Sequence, residues 1–248
     1  MYLWPSTKMS EPMRARLPAA LSLKPLGLFG GTFDPVHFGH LRLAEEAIDC
    51  LELECVRWIP AGQPMHRELA KKMPRLTATQ RLDMVRLAIA GNSRFELDPT
   101  EAEVRQPSYT VPTLERLRTD SECGGLRPLV LLLGADAFVG LSRWFRWEAL
   151  FDLAHIAVAH RPGVPLDTAS LPPALADIYR QRRSDSATAL ADSPAGRIVS
   201  FAMTQLAISA TQIRTLLAAQ RSTRYLLPDA VIAYIQNMHL YSANKHST

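Results

Sequence analysis

Short apolar runs alternate along the chain with segments whose apolar residues recur at helical spacing. Runs of strand length lie at 26–30, 56–59, 95–97, 129–133, 156–159 and 197–201. Helical patterns cover 41–51, 77–90, 110–117, 144–151, 175–182, 209–219 and 229–238. The run from Leu129 to Leu133 is apolar at every position, which is typical of a strand covered on both faces. The pattern predicts an α/β fold, a doubly wound (Rossmann-like) parallel sheet with helices on both faces.

Length and local composition predict the domain organisation. The chain has 248 residues, of which 47% are hydrophobic, enough to bury the core of one large domain. We expect one domain over 24–242, with residues 203–242 forming its closing helical part and 243–248 a tail. Residues 1–23 lack a continuous apolar core, so we predict a disordered N-terminal extension, or an upstream start codon with Met9 and Met13 as alternative starts, rather than a signal peptide. Residues 184–196 are rich in Ser, Ala, Asp and Pro and predict a solvated loop.

Charge and cysteine usage narrow the class of protein. The net charge of +4 allows an anionic ligand but does not favour nucleic acid as a partner. No stretch reaches the ~18 apolar residues of a membrane span, so no membrane partner is predicted. The three cysteines contain no C-x-x-C pair, which favours a reducing compartment, the cytoplasm. We expect Cys50 and Cys55 to be small buried side chains.

The turn after the first strand has the composition of a phosphate-binding turn. It reads Gly30-Gly31-Thr32-Phe33-Asp34-Pro35-Val36-His37-Phe38-Gly39-His40 and leads into the first helix. Glycines let the backbone approach a ligand, and a helix start offers free N–H groups to an anion. Histidines three apart can face one point and donate hydrogen bonds to phosphate oxygens. Two such histidines could also bind zinc, but no third ligand is evident. The turn is neither a dinucleotide fingerprint nor a P-loop.

A second segment, 208–214, opens the penultimate predicted helix with the sequence Ile-Ser-Ala-Thr-Gln-Ile-Arg. Ser209 is a good N-cap, and Arg214, near one turn further along, can fork onto phosphate oxygens. Taken alone, this segment is more often an ordinary capped helix than an anion site.

The two segments together resemble the nucleotidyltransferase superfamily with the H-x-G-H motif, here residues 37–40. The form GGTFDPVH is similar to that of the nicotinate-nucleotide adenylyltransferases, and 208–214 resembles the second signature of that family. The resemblance spans roughly residues 25–242, so the expected domain is a nucleotidyltransferase domain. It implies three catalytic residues, His37, His40 and Arg214. It also implies ATP binding by Gly30, Gly31, Thr32, Phe33, Asp34, Gly39, His40, Ile208, Ser209, Thr211 and Arg214.

Three further segments, 107–110, 134–136 and 144–145, match the same family. The resemblance implies that Trp144 stacks on a pyridine ring and that the Phe145 backbone lies near the ring carboxylate. The full implied mononucleotide set is Tyr109, Thr110, Asp136, Trp144, Phe145, His66 and Arg161. The sequence departs from the family at Met65, where proline is common, and at Phe145, where some members have tyrosine.

The reaction implied by the resemblance is transfer of the adenylyl group of ATP to nicotinate mononucleotide, giving nicotinate adenine dinucleotide and pyrophosphate in NAD biosynthesis. Mg²⁺ is expected mainly on ATP phosphates and water, without a protein metal site. A homo-oligomer is compatible with the sequence. Within the same superfamily, the alternative substrates are nicotinamide mononucleotide, phosphopantetheine or a cytidylyl acceptor. The alternative functions are a non-catalytic nucleotide sensor on the same fold and, third, a nucleic-acid-binding protein.

Overall fold

The computed structural model describes residues 23–64, 74–104, 106–120, 125–164 and 166–242, and in them eight strands form two parallel sheets. The strands are β1 (Leu26–Gly31), β2 (Cys55–Pro60), β3 (Gln63–Pro64), β4 (Phe95–Leu97), β5 (Pro107–Ser108), β6 (Leu129–Gly134), β7 (His155–His160) and β8 (Ile198–Ala202). The main sheet has the order β4-β2-β1-β6-β7-β8, and β3 pairs with β5. Every pair is parallel. This order reverses direction at β1, so the predicted doubly wound fold is confirmed.

Helices cover both faces of the main sheet. They are α1 (Phe38–Leu51), α2 (Ala78–Ile89), α3 (Thr100–Glu103), α4 (Thr110–Thr119), α5 (Ala135–Val139), α6 (Leu150–Leu153), α7 (Pro173–Arg182), α8 (Ala210–Ala218) and α9 (Asp229–Asn237). One core layer joins the sheet to α1, α2, α8 and α9, and the other joins it to α4, α5, α6 and α7. Successive side chains of β6 alternate between the layers: Leu132 lies in the first, Leu131 and Leu133 in the second. This alternation explains the unbroken apolar run of β6.

None of the helices in the described ranges is both long enough and apolar enough to cross a membrane.

The segment from Trp144 to Phe151 does not form the single helix that its apolar spacing predicts. A 3₁₀ turn covers Leu141–Arg143, a second covers Trp147–Ala149, and only α6 is α-helical. Arg146, between the two turns, has a left-handed backbone with φ 51°, which a helix cannot contain. The break leaves Trp144 and Phe145 in an irregular segment beside the sheet.

Two smaller expectations are correct only in part. The predicted solvated loop contains a 3₁₀ helix, Ala187–Asp192, whose Leu190 is fully buried in the first core layer. Cys50 is exposed, whereas Cys55 is buried as expected. Cys50 belongs to α1 but not to its apolar stripe, whereas Cys55 begins a covered strand. The expectations for 1–22 and 243–248 lie outside the described residues.

The reversal of strand order between β1 and β6 sets the position of the site. These two strands are hydrogen-bonded neighbours, with Leu26 opposite Leu129, and the sheet extends from them in opposite directions. The connections that leave their carboxyl ends therefore diverge, and a crevice forms between them. Both the turn at 30–37 and the segment at 134–136 leave the sheet at this crevice.

A buried carboxylate fastens the C-terminal end of the described chain to the turn after β1. Asp34 and Tyr241 are only 6% and 7% exposed. The Tyr241 hydroxyl donates to Asp34 Oδ1 at 2.6 Å, and the amide of Arg75 donates to Asp34 Oδ2 at 2.9 Å. Burial and the adjacent carboxylate raise the pKa of Tyr241, so its hydroxyl remains a donor. The turn is thus attached to segments 41 and 207 residues away along the chain.

Replacing Tyr241 with phenylalanine removes this donor and leaves one oxygen of a buried carboxylate without its partner. We expect Tyr241→Phe to lower the free energy of unfolding by about 1–3 kcal/mol. Tyr234→Phe is the matched control, since that partly exposed hydroxyl donates to Asp83 at 3.2 Å. The control should change stability by less than about 0.5 kcal/mol. Denaturant unfolding measures both, and equal losses would contradict the proposed importance of the Asp34 contact.

Candidate active site

The turn after β1 places backbone groups, rather than apolar side chains, toward the crevice. Gly30 and Gly31 end the strand, and Phe33 follows with a left-handed backbone, φ 50°. The Phe33 ring is buried among aromatic residues, 5.5 Å from the Phe29 centroid and 5.3 Å from Trp58. Phe33 therefore contributes its ring to the core, which leaves its backbone rather than its side chain for a ligand.

His37 and His40 form a stacked pair at the start of α1. Their ring centroids are 3.7 Å apart and the ring planes are 25° from parallel. The His37 amide donates to His40 Nδ1 at 3.2 Å, so Nδ1 carries no proton and Nε2 of the neutral ring is the donor. His37 is 6% exposed, and its Nδ1 has no hydrogen-bond partner among the described residues. The pair can therefore offer ring N–H groups to an incoming anion.

Both histidines are uncharged at neutral pH. Burial lowers the pKa of His37 to about 4. Burial, followed by the proximity of His37, holds the pKa of His40 well below its usual value. Protonating both rings would place two charges in contact. In the ligand-free chain the pair thus acts as a set of neutral hydrogen-bond donors.

The second motif lies against the first. Ser209 caps α8, accepting from the Gln212 amide at 3.1 Å, as the sequence predicts. Arg214 Nη1 donates to the Asp34 carbonyl at 2.6 Å, and Nη2 donates to Thr211 Oγ1 at 3.1 Å. The Arg214 side chain is 20% exposed, so it is held in place but reachable.

Gly39 shows how closely the two motifs approach. A Cβ atom on this residue would lie 3.0 Å from the His37 ring and 3.7 Å from the Ile208 carbonyl. A side chain there would displace the histidine, which explains the glycine between the two histidines. Segments 30–40 and 208–214 consequently form one region, rich in N–H donors, at the starts of α1 and α8. Free amides at helix starts and an arginine suit a polyphosphate.

A cavity of about 270 Å³ adjoins this region. Gly30, Gly31 and Thr32 line it from the side of the first turn, and Leu133 and Gly134 from the end of β6. The opposite wall carries aromatic rings and the start of α4: Tyr109, Thr110, Trp144 and Phe145. The Tyr109 and Phe145 ring centroids are 4.8 Å apart. The first turn thus borders both this donor-rich region and a ring-lined cavity, which has room for a flat aromatic group.

The other predicted site residues lie elsewhere. Asp136, in the first turn of α5, and Arg161, after β7, are exposed, and neither lines the cavity in the described part of the chain. Both residues still lie just beyond the carboxyl end of a strand, Asp136 after β6 and Arg161 after β7. His66 lies outside the described residues. Asp34, predicted to bind ATP, directs its carboxylate to Tyr241 and Arg75 within the protein.

Two residues at the site were not singled out from the sequence. Glu101 lines the cavity and accepts a hydrogen bond from Thr113 Oγ1, and its burial raises its pKa. Arg81, on α2, donates to backbone carbonyls at the ends of β1 and β2. No local signal distinguishes either residue from a solvated charge, because only the tertiary fold buries them.

Over the residues that the structure describes, no cluster of three or more His, Cys, Asp or Glu side chains could hold a metal ion.

The neutral state of His37 makes a prediction about stability in acid. Well above pH 6.5 this histidine is neutral in both the folded and the unfolded chain. As pH falls toward 4, the unfolded chain binds a proton that the folded chain refuses, so the folded state loses about 3 kcal/mol. Denaturant unfolding between pH 4 and 7.5 should show a smaller pH dependence in His37→Asn, whose side chain caps without titrating. The same dependence in both proteins would show that His37 is not held neutral.

Known proteins match the chain over most of its length. A family model described as cytidylyltransferase-like matches residues 28–216. A probable nicotinate-nucleotide adenylyltransferase of Dechloromonas aromatica is 64% identical over 218 residues, which are 88% of this chain and 98% of the relative. Another, of Pseudomonas aeruginosa, is 48% identical over 221 residues, 89% of this chain and 98% of the relative.

A solved structure has the same fold at low sequence identity. The nicotinic acid mononucleotide adenylyltransferase of Plasmodium falciparum, complexed with NaAD, superposes with a TM-score of 0.63 at 15% identity. The match covers 88% of this chain and 97% of the other. At this identity the likeness shows the fold alone, whereas the family model and the two bacterial relatives show the family. The chain is a nucleotidyltransferase that belongs to the cytidylyltransferase-like family, in the group of nicotinate-nucleotide adenylyltransferases.

Proposed function

We propose that this chain transfers the adenylyl group of ATP to nicotinate mononucleotide, giving nicotinate adenine dinucleotide and pyrophosphate in NAD biosynthesis. The observation that carries the proposal is the turn at 30–32, which borders both the donor-rich phosphate region and the ring-lined cavity. Two substrates bound on either side of this turn would meet at their phosphates. The names of the bacterial relatives support the same reaction, as does the complex of the Plasmodium enzyme with NaAD.

The proposed chemistry needs neither a protein nucleophile nor a general base. A phosphate oxygen of the mononucleotide, already ionised, attacks the α-phosphorus of ATP in line. A new P–O bond forms, the bond to the β-phosphate bridging oxygen breaks, and pyrophosphate leaves with the electron pair. Catalysis then consists of positioning two anions and offsetting the charge that develops. His37 and His40 would donate to ATP phosphates, and Arg214 would bind the departing pyrophosphate.

Backbone groups and two hydroxyls complete the proposed ATP site. The amides at Gly30–Phe33 and at Gly39 would face phosphate oxygens, while Ile208, Ser209 and Thr211 would approach them from the start of α8. Asp34 would act from behind, by holding the turn. These roles are implied by the family resemblance, and the contacts described above support them.

Mg²⁺ is the cation that we propose for the reaction. The described site is rich in nitrogen donors, which suit phosphate, and the buried carboxylate of Asp34 already bonds Tyr241 and Arg75. This donor set fits a cation that arrives on the ATP phosphates and keeps water ligands, not one held in a protein cage. When bound, Mg²⁺ would neutralise phosphate charge.

The cavity is the proposed site of the nicotinate ring. Trp144 offers a flat face to the ring, with Tyr109 and Phe145 beside it. Thr110, at the start of α4, places a hydroxyl and free amides where they could meet the ring carboxylate. Contacts from Asp136, Arg161 and His66 are proposed on the family resemblance alone. We further propose that residues 24–242, closed by 203–242, are the catalytic unit, that it acts in the cytoplasm, and that nucleic acid and membranes are not its partners.

Pyrophosphate release tests the proposed reaction. The chain is supplied with ATP and Mg²⁺, and nicotinate mononucleotide or nicotinamide mononucleotide is offered in parallel. We expect rapid release with the nicotinate form and slower release with the amide, which lacks the carboxylate charge. Release with neither would refute the proposed acceptor, and equal rates would refute selection for the carboxylate.

Removing the His40 imidazole should slow turnover while the fold survives. We expect His40→Ala to lower kcat by about 10²- to 10³-fold, because one preorganised donor to the reacting phosphates is lost. His239→Ala, at an exposed position after α9, is the control and should keep the wild-type rate. Steady-state kinetics on proteins of matched thermal stability measure the effect. A loss of less than about threefold would exclude His40 from the mechanism.

Removing the Trp144 indole should affect one substrate selectively. We expect Trp144→Ala to weaken nicotinate mononucleotide binding about tenfold or more, with ATP binding nearly unchanged, since only the cavity loses its stacking face. Trp147→Ala, whose ring packs on Phe151 instead, controls for loss of local packing. Calorimetric titration with each substrate measures both affinities. Equal weakening of the two would contradict ring stacking at Trp144.

A further inference from the structure

Arg81 is a buried arginine that donates to backbone oxygens beyond the ends of two different strands. It lies on α2 and is only 1% exposed. Its Nη1 donates to the Thr32 carbonyl at 2.8 Å, and its Nη2 donates to the Gly62 carbonyl at 2.7 Å. Its Nε has no hydrogen-bond partner among the described residues. Burying a guanidinium is costly, so an arginine in this position calls for a role beyond filling space.

The two carbonyls belong to the two halves of the proposed site, the turn that would bind ATP and the cavity that would bind the mononucleotide. Thr32 follows β1, in the turn proposed to bind ATP phosphates. Gly62 follows β2, where its amide donates to Ser108 Oγ at 2.9 Å. A Cβ atom on Gly62 would lie 2.0 Å from the Glu101 carbonyl, so the glycine packs directly against that segment. Ser108 and Glu101 both line the cavity. Arg81 therefore connects the phosphate-binding turn with a wall of the cavity.

The direction of these bonds matters electrostatically. A carbonyl oxygen that faced the crevice would repel a phosphate, and the bond to Arg81 turns the Thr32 oxygen inward, toward buried guanidinium. Because the peptide is planar and trans, the Phe33 N–H then points to the side away from Arg81. Burial lowers the pKa of Arg81, an effect that Asp34 and then Tyr241 oppose, and arginine remains charged at neutral pH.

We propose that Arg81 is a positioning residue that sets the spacing between the ATP turn and the mononucleotide cavity. It reaches neither substrate, because its guanidinium is enclosed, and it acts through Thr32 and Gly62. The rigid planar fork of arginine fixes two acceptors at once, which a single ammonium group does less well. This inference rests on the proposed function, since the spacing matters only if two substrates must meet.

A ligand that spans both halves of the site reports this spacing directly. Nicotinate adenine dinucleotide occupies both halves, whereas AMP and nicotinate mononucleotide occupy one each. The extra affinity of the spanning ligand depends on how well the two halves are held in register. Arg81→Met, which removes the fork and keeps most of the volume, should weaken dinucleotide binding at least ~30-fold. Binding of AMP and of the mononucleotide should each change by no more than about threefold.

Arg86→Met on the same helix is the matched control, because that exposed arginine bonds Asp83, three residues before it, and no other described residue. It should leave all three affinities unchanged. Arg81→Lys keeps the charge and should lose about tenfold in dinucleotide affinity alone. It also supplies the measurement if Arg81→Met does not fold.

The outcomes separate the inference from the function on which it rests. A wild-type chain that binds neither the mononucleotide nor the dinucleotide would overturn both. Wild-type binding, with equal losses for all three ligands in the Arg81 variants or with none, would overturn the positioning role alone. Failure of both Arg81 variants to fold would assign the residue to stability and also overturn the proposal.

Discussion

The rest of the site depends on the hydrogen bonds that the buried carboxylate of Asp34 accepts. The two carboxylate oxygens accept hydrogen bonds from the Tyr241 hydroxyl and the Arg75 amide. The backbone carbonyl of Asp34 accepts one from Arg214. These bonds fix the turn after β1 with respect to the C-terminal helices and to the chain that precedes α2. The stacked histidines begin α1 only three residues later, so their position follows from the same anchor. The attachment of the turn explains why a carboxylate stands in a segment that we propose to bind phosphate, although a carboxylate ligand would repel that anion.

In the proposed function, the site attracts anions mainly with neutral groups. The two histidines are uncharged at neutral pH, and the amides at the starts of α1 and α8 contribute partial charges only. Arg214 supplies a full charge at the phosphate region, and Arg81 supplies one from behind the first turn. Preorganised dipoles of this kind need little rearrangement when charge develops during phosphoryl transfer. Stacked neutral rings also avoid the repulsion that two imidazolium groups would suffer before the substrate arrives.

The sequence predicts the sheet and the cap of α8 because these depend on local patterns. Continuous apolar strands such as β6 and a capping serine such as Ser209 can be recognised within a few residues. The helix expected at 144–151 fails because its apolar spacing suits a helix while Arg146 takes a left-handed backbone, which places Trp144 and Phe145 at the cavity. Arg81 and Tyr241 were not anticipated, since each acquires its role from partners far away along the chain. Charge on an amphipathic helix ordinarily predicts a solvated face, and only the fold shows that Arg81 is enclosed.

The long sequence separation of the contacts at Asp34 has a consequence for biosynthesis. The bond from Arg214 spans 180 residues and that from Tyr241 spans 207. A chain emerging from the ribosome can pair β1 with β2 early, but it cannot complete the contacts of the first turn until Tyr241 has been translated. Nascent and prematurely ended chains would carry the complete H-x-G-H motif without a fixed site. Nucleotide binding would then appear only at the last stage of folding, so that incomplete chains would neither sequester ATP nor gain stability from it.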